Sequence, residues 1–357
     1  MNPVNVSDFR VLAKQTLSKS IFEFIDGGAC DEITKENNRA ALDSISLRPL
    51  CLRDVSKIDT TVTLLGSKHA SPIMIAPTAF HQLVNQDGEI STAKAAKLCN
   101  CSMVVSCMSN RSFEEIAEQS LHHQLWAQLY IFKKRALTET LIRRAEEAGF
   151  KAIVLTVGVP RSGKRERDLR NQFSLQLPLT TANFKSTVND KVIYDFTAEE
   201  LDPSLTWHDI EWLKTKTQLP IVLKGILNPL DVEEACRLEV SGIVVSNHGG
   251  RQLDTAEAAI KVLPDLVKVA AGRTTVLIDG AIQRGTDILK AIALGADAIL
   301  IGRPVLWALA VNGTEGVLSM LTVLKDEFEM AMKLTGCRTV QEIKKYSSSI
   351  MVSPYDL

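Results

Sequence analysis

Residues 274–304 read TTVLIDGAIQRGTDILKAIALGADAILIGRP. The first run, Thr274–Gly280, and the last, Ala298–Pro304, are rich in Val, Ile and Leu and too short for ordinary helices. Near-continuous apolarity suits strands buried on both faces, as in a parallel sheet. Between them Thr286–Leu294 carries apolar residues at helical spacing. Strand, helix and strand at this spacing form the repeating unit of a parallel α/β fold.

The same alternation extends upstream. Further short apolar runs lie at Pro72–Ala76, Ser102–Ser106, Leu125–Tyr130, Lys151–Val157, Leu219–Gly225 and Ser241–His248. Helical patterns separate them at Ala136–Ala148 and Asp231–Leu238, and Ser112-Phe113-Glu114-Glu115 reads as a capping box. Eight strands alternating with helices predict an α/β fold of the TIM (β/α)8 barrel type, with an open doubly wound sheet as the competing arrangement. A chain of 357 residues is then one domain, 1–357, with the barrel starting near residue 66. Residues 1–65 read as a helical extension, with Ser7 as a cap, expected to cover the lower mouth or one flank of the barrel. The segment 161–203, after the fourth strand, is far longer than a usual strand-to-helix connection and opens with the basic run Arg161-Ser162-Gly163-Lys164-Arg165-Glu166-Arg167. It is expected to be a flexible lid over the C-terminal face; a solvated surface excursion is the alternative.

Composition narrows the function classes. A hydrophobic content of 45% supports a large core, and a net charge of −1 gives no reason to expect nucleic acid or an anionic membrane as partner. The seven cysteines are scattered, and Cys99 and Cys101 lack the spacing of a redox or zinc pair, so a reducing, cytoplasmic setting and no metal are expected. The first residues lack a basic stretch followed by an apolar run, no uninterrupted apolar stretch reaches the roughly 18 residues of a membrane span, and Pro354-Tyr355-Asp356-Leu357 is not a peroxisomal address.

In such barrels the chemistry sits at the C-terminal strand ends. Those positions carry Thr78, Ser106, Gln128, Tyr130, Thr156, Lys224, His248, Arg251, Asp279 and Arg303. Gly280 after the seventh strand and Gly302 with Arg303 after the eighth suit a phosphate site, because glycine admits backbone amides and arginine supplies charge-assisted hydrogen bonds. Lys224 closes an apolar strand, so it either reaches solvent or faces an anion or electron-rich cofactor. His248 can take a proton near neutral pH, and Arg251 can bind a carboxylate with two parallel hydrogen bonds.

These residues resemble a known family. Ser246-Asn247-His248-Gly249-Gly250-Arg251-Gln252-Leu253-Asp254 is similar to the signature of the FMN-dependent 2-hydroxy acid oxidases and dehydrogenases. Gly27-Gly28-Ala29, Ile75-Ala76-Pro77-Thr78-Ala79, Gln128-Leu129-Tyr130, Pro160-Arg161, Arg284-Gly285-Thr286-Asp287 and Ile301-Gly302-Arg303-Pro304 also match. The resemblance implies FMN as cofactor. Pro77, Thr78, Ala79, Ser106, Gln128, Thr156, Lys224 and Ser246 would line the flavin and ribityl chain, and Asp279 would hold ribityl hydroxyls. Gly280, Gln283, Gly302 and Arg303 would surround the phosphate. His248 would take the substrate hydroxyl proton, Arg251 and Arg165 would bind the carboxylate, and Tyr130 would bond the substrate oxygen. Relatives of this kind also imply a homo-oligomer, a tetramer by analogy. Because no membrane-binding insertion is evident in the segment 161–203, oxygen is the expected electron acceptor.

Five positions depart from that pattern. Phe24 replaces a tyrosine whose hydroxyl helps hold the carboxylate, and Gly158 replaces an aspartate that stabilises the charged histidine. Gln283 stands where an arginine helps bind phosphate, with Ala281 in place of a nearby glycine, and Met108 replaces a tryptophan of glycolate-specific members. Two accounts follow. In one, the protein oxidises a bulkier 2-hydroxy acid in room opened by Gly158. In the other, it is a divergent flavin barrel with weak or no oxidase activity, serving as a binding or scaffold protein.

Overall fold

The computed structural model describes residues 2–120, 124–175, 182–184 and 200–352. Eight parallel strands close into a barrel: β1 (Ile73–Ile75), β2 (Ser102–Ser106), β3 (Leu125–Leu129), β4 (Ile153–Thr156), β5 (Ile221–Ile226), β6 (Gly242–Val245), β7 (Thr275–Asp279) and β8 (Ala298–Ile301). β8 pairs back onto β1, with Ile299 opposite Ile73, so the open-sheet alternative is excluded. Nearly every strand residue is buried, which is why the runs are apolar without alternation.

Helices follow the strands and bury one face each on the barrel, among them Phe113–Ser120, Arg135–Glu147, Pro229–Arg237, Ala259–Ala270 and Gly285–Ala293. The capping box at Ser112 forms as expected. Glu115 donates its backbone N–H to Ser112 Oγ at 3.2 Å, and Ser112 donates its own to Glu115 Oε2 at 2.7 Å. After β8 runs the helix Arg303–Thr335, broken by non-helical backbone at Asn312 and Gly313. It is long and apolar enough to cross a membrane by length and composition alone, yet half of its most apolar window is buried within the protein.

The N-terminal extension is helical, as expected, and its first helix, Val6–Thr16, packs against the helix Arg303–Thr335 on the barrel's flank, but its cap and its lower-mouth placement differ from the expectation. It forms α1 (Val6–Thr16), α2 (Lys19–Asp26) and α3 (Ile33–Ser44), and α1 is capped by Asn5, whose side chain accepts from Asp8 N at 3.0 Å; Ser7 lies inside the helix. Asparagine in extended backbone one residue before the helix reaches that free amide, whereas Ser7 already has helical geometry. α2 and α3 do not close the lower mouth. They reach the C-terminal mouth, where Phe24, Ile25, Asp26, Asn38 and Arg39 line the main cavity. The N-terminal strand ends are instead met by the hairpin Val62–Leu64/Ser67–His69, whose His69 Nδ1 lies 2.7 Å from the hydroxyl of Ser102, the first residue of β2.

Of the expected lid, residues 176–181 and 185–199 lie outside the described residues. Its first part packs over the mouth. Gly163 donates to Gln252 Oε1 at 2.7 Å, and a Cβ added at Gly163 would lie 2.4 Å from the Arg251 carbonyl oxygen, an approach only glycine permits. Arg167 pairs with Glu32 at 2.6 Å, and Phe173 stacks on Phe24 with ring centroids 4.5 Å apart.

Candidate active site

A cavity of about 630 Å3 opens at the C-terminal ends of the strands. Every residue expected at the site lines it except Ser246, which lies just beneath. The size and position are those of a cofactor-plus-substrate pocket.

One wall is a hydrogen-bonded ladder across strand ends. Ser106 Oγ donates to Gln128 Oε1 at 3.0 Å, and Gln128 Nε2 donates to Thr156 Oγ1 at 3.0 Å. Lys224, at the end of β5, does not reach solvent. It is 4% exposed, with Nζ 2.7 Å from Asp279 Oδ2 and donating to Ser246 Oγ at 3.0 Å. Among the described residues the other carboxylate oxygen, Asp279 Oδ1, is buried without a hydrogen-bond partner. A buried carboxylate oxygen is costly to leave unpaired, so it marks where a ligand hydroxyl belongs.

At the far end Gly280, Gln283, Gly302 and Arg303 gather. A Cβ at Gly302 would sit 3.6 Å from Thr78 Cγ2 and 3.8 Å from Ala76 Cβ, in ordinary van der Waals contact. Arg303 donates to the carbonyls of Ile25 at 3.0 Å and Gly27 at 2.7 Å, and burial lowers its pKa. Arg251 donates to the carbonyls of Phe24 at 2.7 Å and Gly27 at 3.2 Å, with its guanidinium 5.3 Å above the Phe24 ring. The C-terminal end of α2 thus holds both arginines through its free carbonyls, which favour cations.

His248 follows β6 in left-handed backbone, φ +57°, and its amide donates to Ser246 Oγ at 3.0 Å. The loop is fixed by a reciprocal amide pair. Asn38 of α3 donates to Asn247 Oδ1 at 2.9 Å, and Asn247 donates back at 2.8 Å. Among the described residues the imidazole makes no hydrogen bond. Burial first, then Lys224, Arg251, Arg165 and Arg303, holds its pKa well below the ordinary 6.5. Arg165, the second expected carboxylate ligand, pairs through Nε with Asp168 at 3.1 Å. Burial raises the Tyr130 pKa, against the pull of Arg165 and Arg251, so its hydroxyl stays protonated.

Gly158 does not open room in the pocket. It is absent from the cavity lining, and a Cβ there would lie 3.0 Å from Gly225 Cα. Gly225, at φ +115°, marks the bulge between Lys224 and Ile226, and its backbone occupies the space. The room expected from the missing aspartate is therefore filled by main chain. What the cavity does present is an apolar wall of Phe24, Met108, Val159 and Leu201. Val159, Leu201 and Asn38 escaped sequence reading, since nothing local tells a buried apolar or amide side chain in a wall from one in a core.

A family model described as FMN-dependent dehydrogenase matches residues 13–349. The chain belongs to this family. It is 48% identical to a peroxisomal (S)-2-hydroxyacid oxidase of Arabidopsis thaliana, covering 96% of this chain and 95% of the relative. It is 45% identical to an L-lactate oxidase of Nostoc, covering 96% and 97%. A crystal structure of mandelate oxidase superposes with a TM-score of 0.91 at 41% identity, covering 96% of this chain and 98% of that one. The chain is thus an FMN-dependent oxidoreductase with a TIM barrel, as its motifs implied. Its cavity fits that cofactor: the orphaned Asp279 oxygen suits a ribityl hydroxyl, Gly302 and Arg303 on the cavity wall suit a phosphate, and the buried Lys224 suits a ring that gains negative charge.

Proposed function

We propose that this FMN-dependent dehydrogenase oxidises a 2-hydroxy acid with a hydrocarbon side chain to the 2-oxo acid. The observation that carries the reading is a neutral imidazole, His248, set among cations in a cavity shared with Arg165 and Arg251. Bound FMN would supply the two-electron acceptor for the hydride of the substrate α carbon, with oxygen as the final oxidant.

The residues divide the work. Pro77, Thr78, Ala79, Ser106, Gln128, Thr156, Lys224 and Ser246 would hold the flavin and ribityl side, and Asp279 would accept from ribityl hydroxyls. Gly280, Gln283, Gly302 and Arg303 would hold the phosphate. Arg165 and Arg251 bind the substrate carboxylate, and Tyr130 donates its hydroxyl to the substrate oxygen. His248 Nε2 or Nδ1 accepts the hydroxyl proton. In the absence of a carboxylate at Gly158, the imidazolium so formed faces four cations. The substrate's own carboxylate, once paired with Arg165 and Arg251, offsets two of them and makes His248 a stronger base. Phe24 offers no hydroxyl to that carboxylate, a loss of about 1 kcal/mol. Its ring, with Met108, Val159 and Leu201, favours a hydrocarbon side chain over the bare glycolate carbon.

The test is hydrogen peroxide formation by FMN-loaded protein across 2-hydroxy acids of increasing side-chain size. Turnover rising from glycolate to longer or aromatic acids is expected. Protein that stays colourless after FMN is added sinks the reading, and yellow protein inert to the whole panel favours the scaffold account. The free thiols of all seven cysteines support a cytoplasmic setting.

A further inference from the structure

His81 lies outside every role described so far, although it is completely buried beside the cavity. Its Nε2 is 2.7 Å from the hydroxyl of Thr78, which lines the cavity, and its Nδ1 is 2.9 Å from the hydroxyl of Thr92 in the helix Glu89–Leu98. Glu89, also completely buried, does not touch the ring. Its oxygens accept the backbone N–H groups of His81 at 3.1 Å, Asn110 at 3.1 Å and Arg111 at 3.3 Å. Asn110 Oδ1 in turn accepts Gln82 N at 2.9 Å. These backbone bonds hold the loop after β1, including Phe80 in left-handed geometry at φ +61°. They account for Glu89 and Asn110 as supports. They do not account for a chain of hydroxyl, imidazole and hydroxyl that ends on the cavity wall.

We propose that His81 is a positioning residue for the cofactor site, fixing the hydroxyl of Thr78 in one hydrogen-bonding sense against the cavity. This rests on the reading that the cavity holds FMN. Burial lowers the His81 pKa against the pull of Glu89 and of a hydrogen bond to the Thr78 backbone, so the ring is neutral, with one N–H and one lone pair. Its two nitrogens face two hydroxyls, so one hydroxyl donates to the ring and the other accepts from it. Thr78 cannot rotate freely. If it donates to His81, its oxygen is left to accept from the cofactor; if it accepts, its proton is left to donate. The tautomer of a histidine that never meets the ligand therefore decides the polarity of a wall that does.

The test compares FMN affinity and the visible flavin spectrum in His81→Leu, His81→Gln, Thr78→Val and the His81→Leu/Thr78→Val double variant, with circular dichroism as a check on folding. His81→Leu and Thr78→Val are each expected to weaken FMN binding about tenfold and to shift the flavin bands. The double variant is expected to be no weaker than either single, since both remove one chain of bonds. His81→Gln, whose amide can both donate and accept, is expected to recover most of the loss. Wild-type affinity and spectrum in a folded His81→Leu, or losses that add in the double variant, would overturn the proposal. If His81→Leu does not fold, Thr78→Val decides: unchanged FMN affinity and bands there overturn it equally. Wild-type protein that takes up no FMN would instead sink the underlying reading.

Discussion

In the proposed reaction His248 gains a proton in surroundings that resist one. Burial and four cations depress its pKa, so the free enzyme keeps the base form to acidities where an ordinary imidazole is charged. The acidic limb of kcat/KM, which reports the free enzyme, is therefore expected below pH 6.5. A limb at or above that value would show that some group already supports the imidazolium. The same shift has a cost in stability. The unfolded chain binds a proton near pH 6.5 that the folded site refuses, so this contribution is complete above 6.5 and is lost as pH falls from there toward the folded value. Replacing the base removes the proton step alone: His248→Asn is expected to slow substrate oxidation about 10²- to 10⁴-fold while FMN still binds, read by flavin reduction and fluorescence titration.

Two glycines on neighbouring strands limit what can be restored to the site. Gly158 after β4 and Gly225 on β5 pack backbone to backbone, and a Cβ on Gly225 would come within 2.6 Å of Gly158 Cα. Gly225→Ala is expected to cost more stability than Gly158→Ala, because it adds strain at φ +115° to the overlap. Gly158→Asp must push the Gly225 backbone aside. It is expected to lower Tm and, if the carboxylate reaches His248, to move the acidic limb upward. The beginning of the insertion after β4 depends on α2 and on the turn leading into α3. Arg167 is tied to Glu32 at 2.6 Å and lies 3.5 Å from Asp26. Arg167→Met is expected to raise KM for the acid and to speed proteolysis within residues 161–175, since the segment carrying Arg165 loses its ionic anchor. Unchanged cleavage and KM would mean that the Phe24–Phe173 stack and the Gly163–Gln252 hydrogen bond hold it without the ion pair.

At the scale of the molecule, the barrel was legible because each strand is buried on both faces and so spells itself as an apolar run. Most of the cavity lining was legible because it stands at the ends of those runs. What stayed hidden depends on long-range packing. No local pattern says that α2 turns its carbonyls toward Arg251 and Arg303, that Asn38 of α3 clasps Asn247, or that the vacancy at Gly158 is filled by Gly225. Ser7 was mistaken for a cap because its hydroxyl suits one, while the chain starts the helix one residue after Asn5. The family's implied tetramer is open to light scattering of the FMN-loaded protein, with a mass near four times 39.3 kDa expected. The central claim, that this cavity joins a base, a carboxylate clamp and FMN into one oxidising site, is tested most directly by mixing FMN-loaded protein anaerobically with an excess of a hydrocarbon-bearing 2-hydroxy acid. Loss of the visible flavin absorbance, with one 2-oxo acid formed per flavin, is the predicted result. A yellow protein whose spectrum stays oxidised through a full panel of such acids would contradict it.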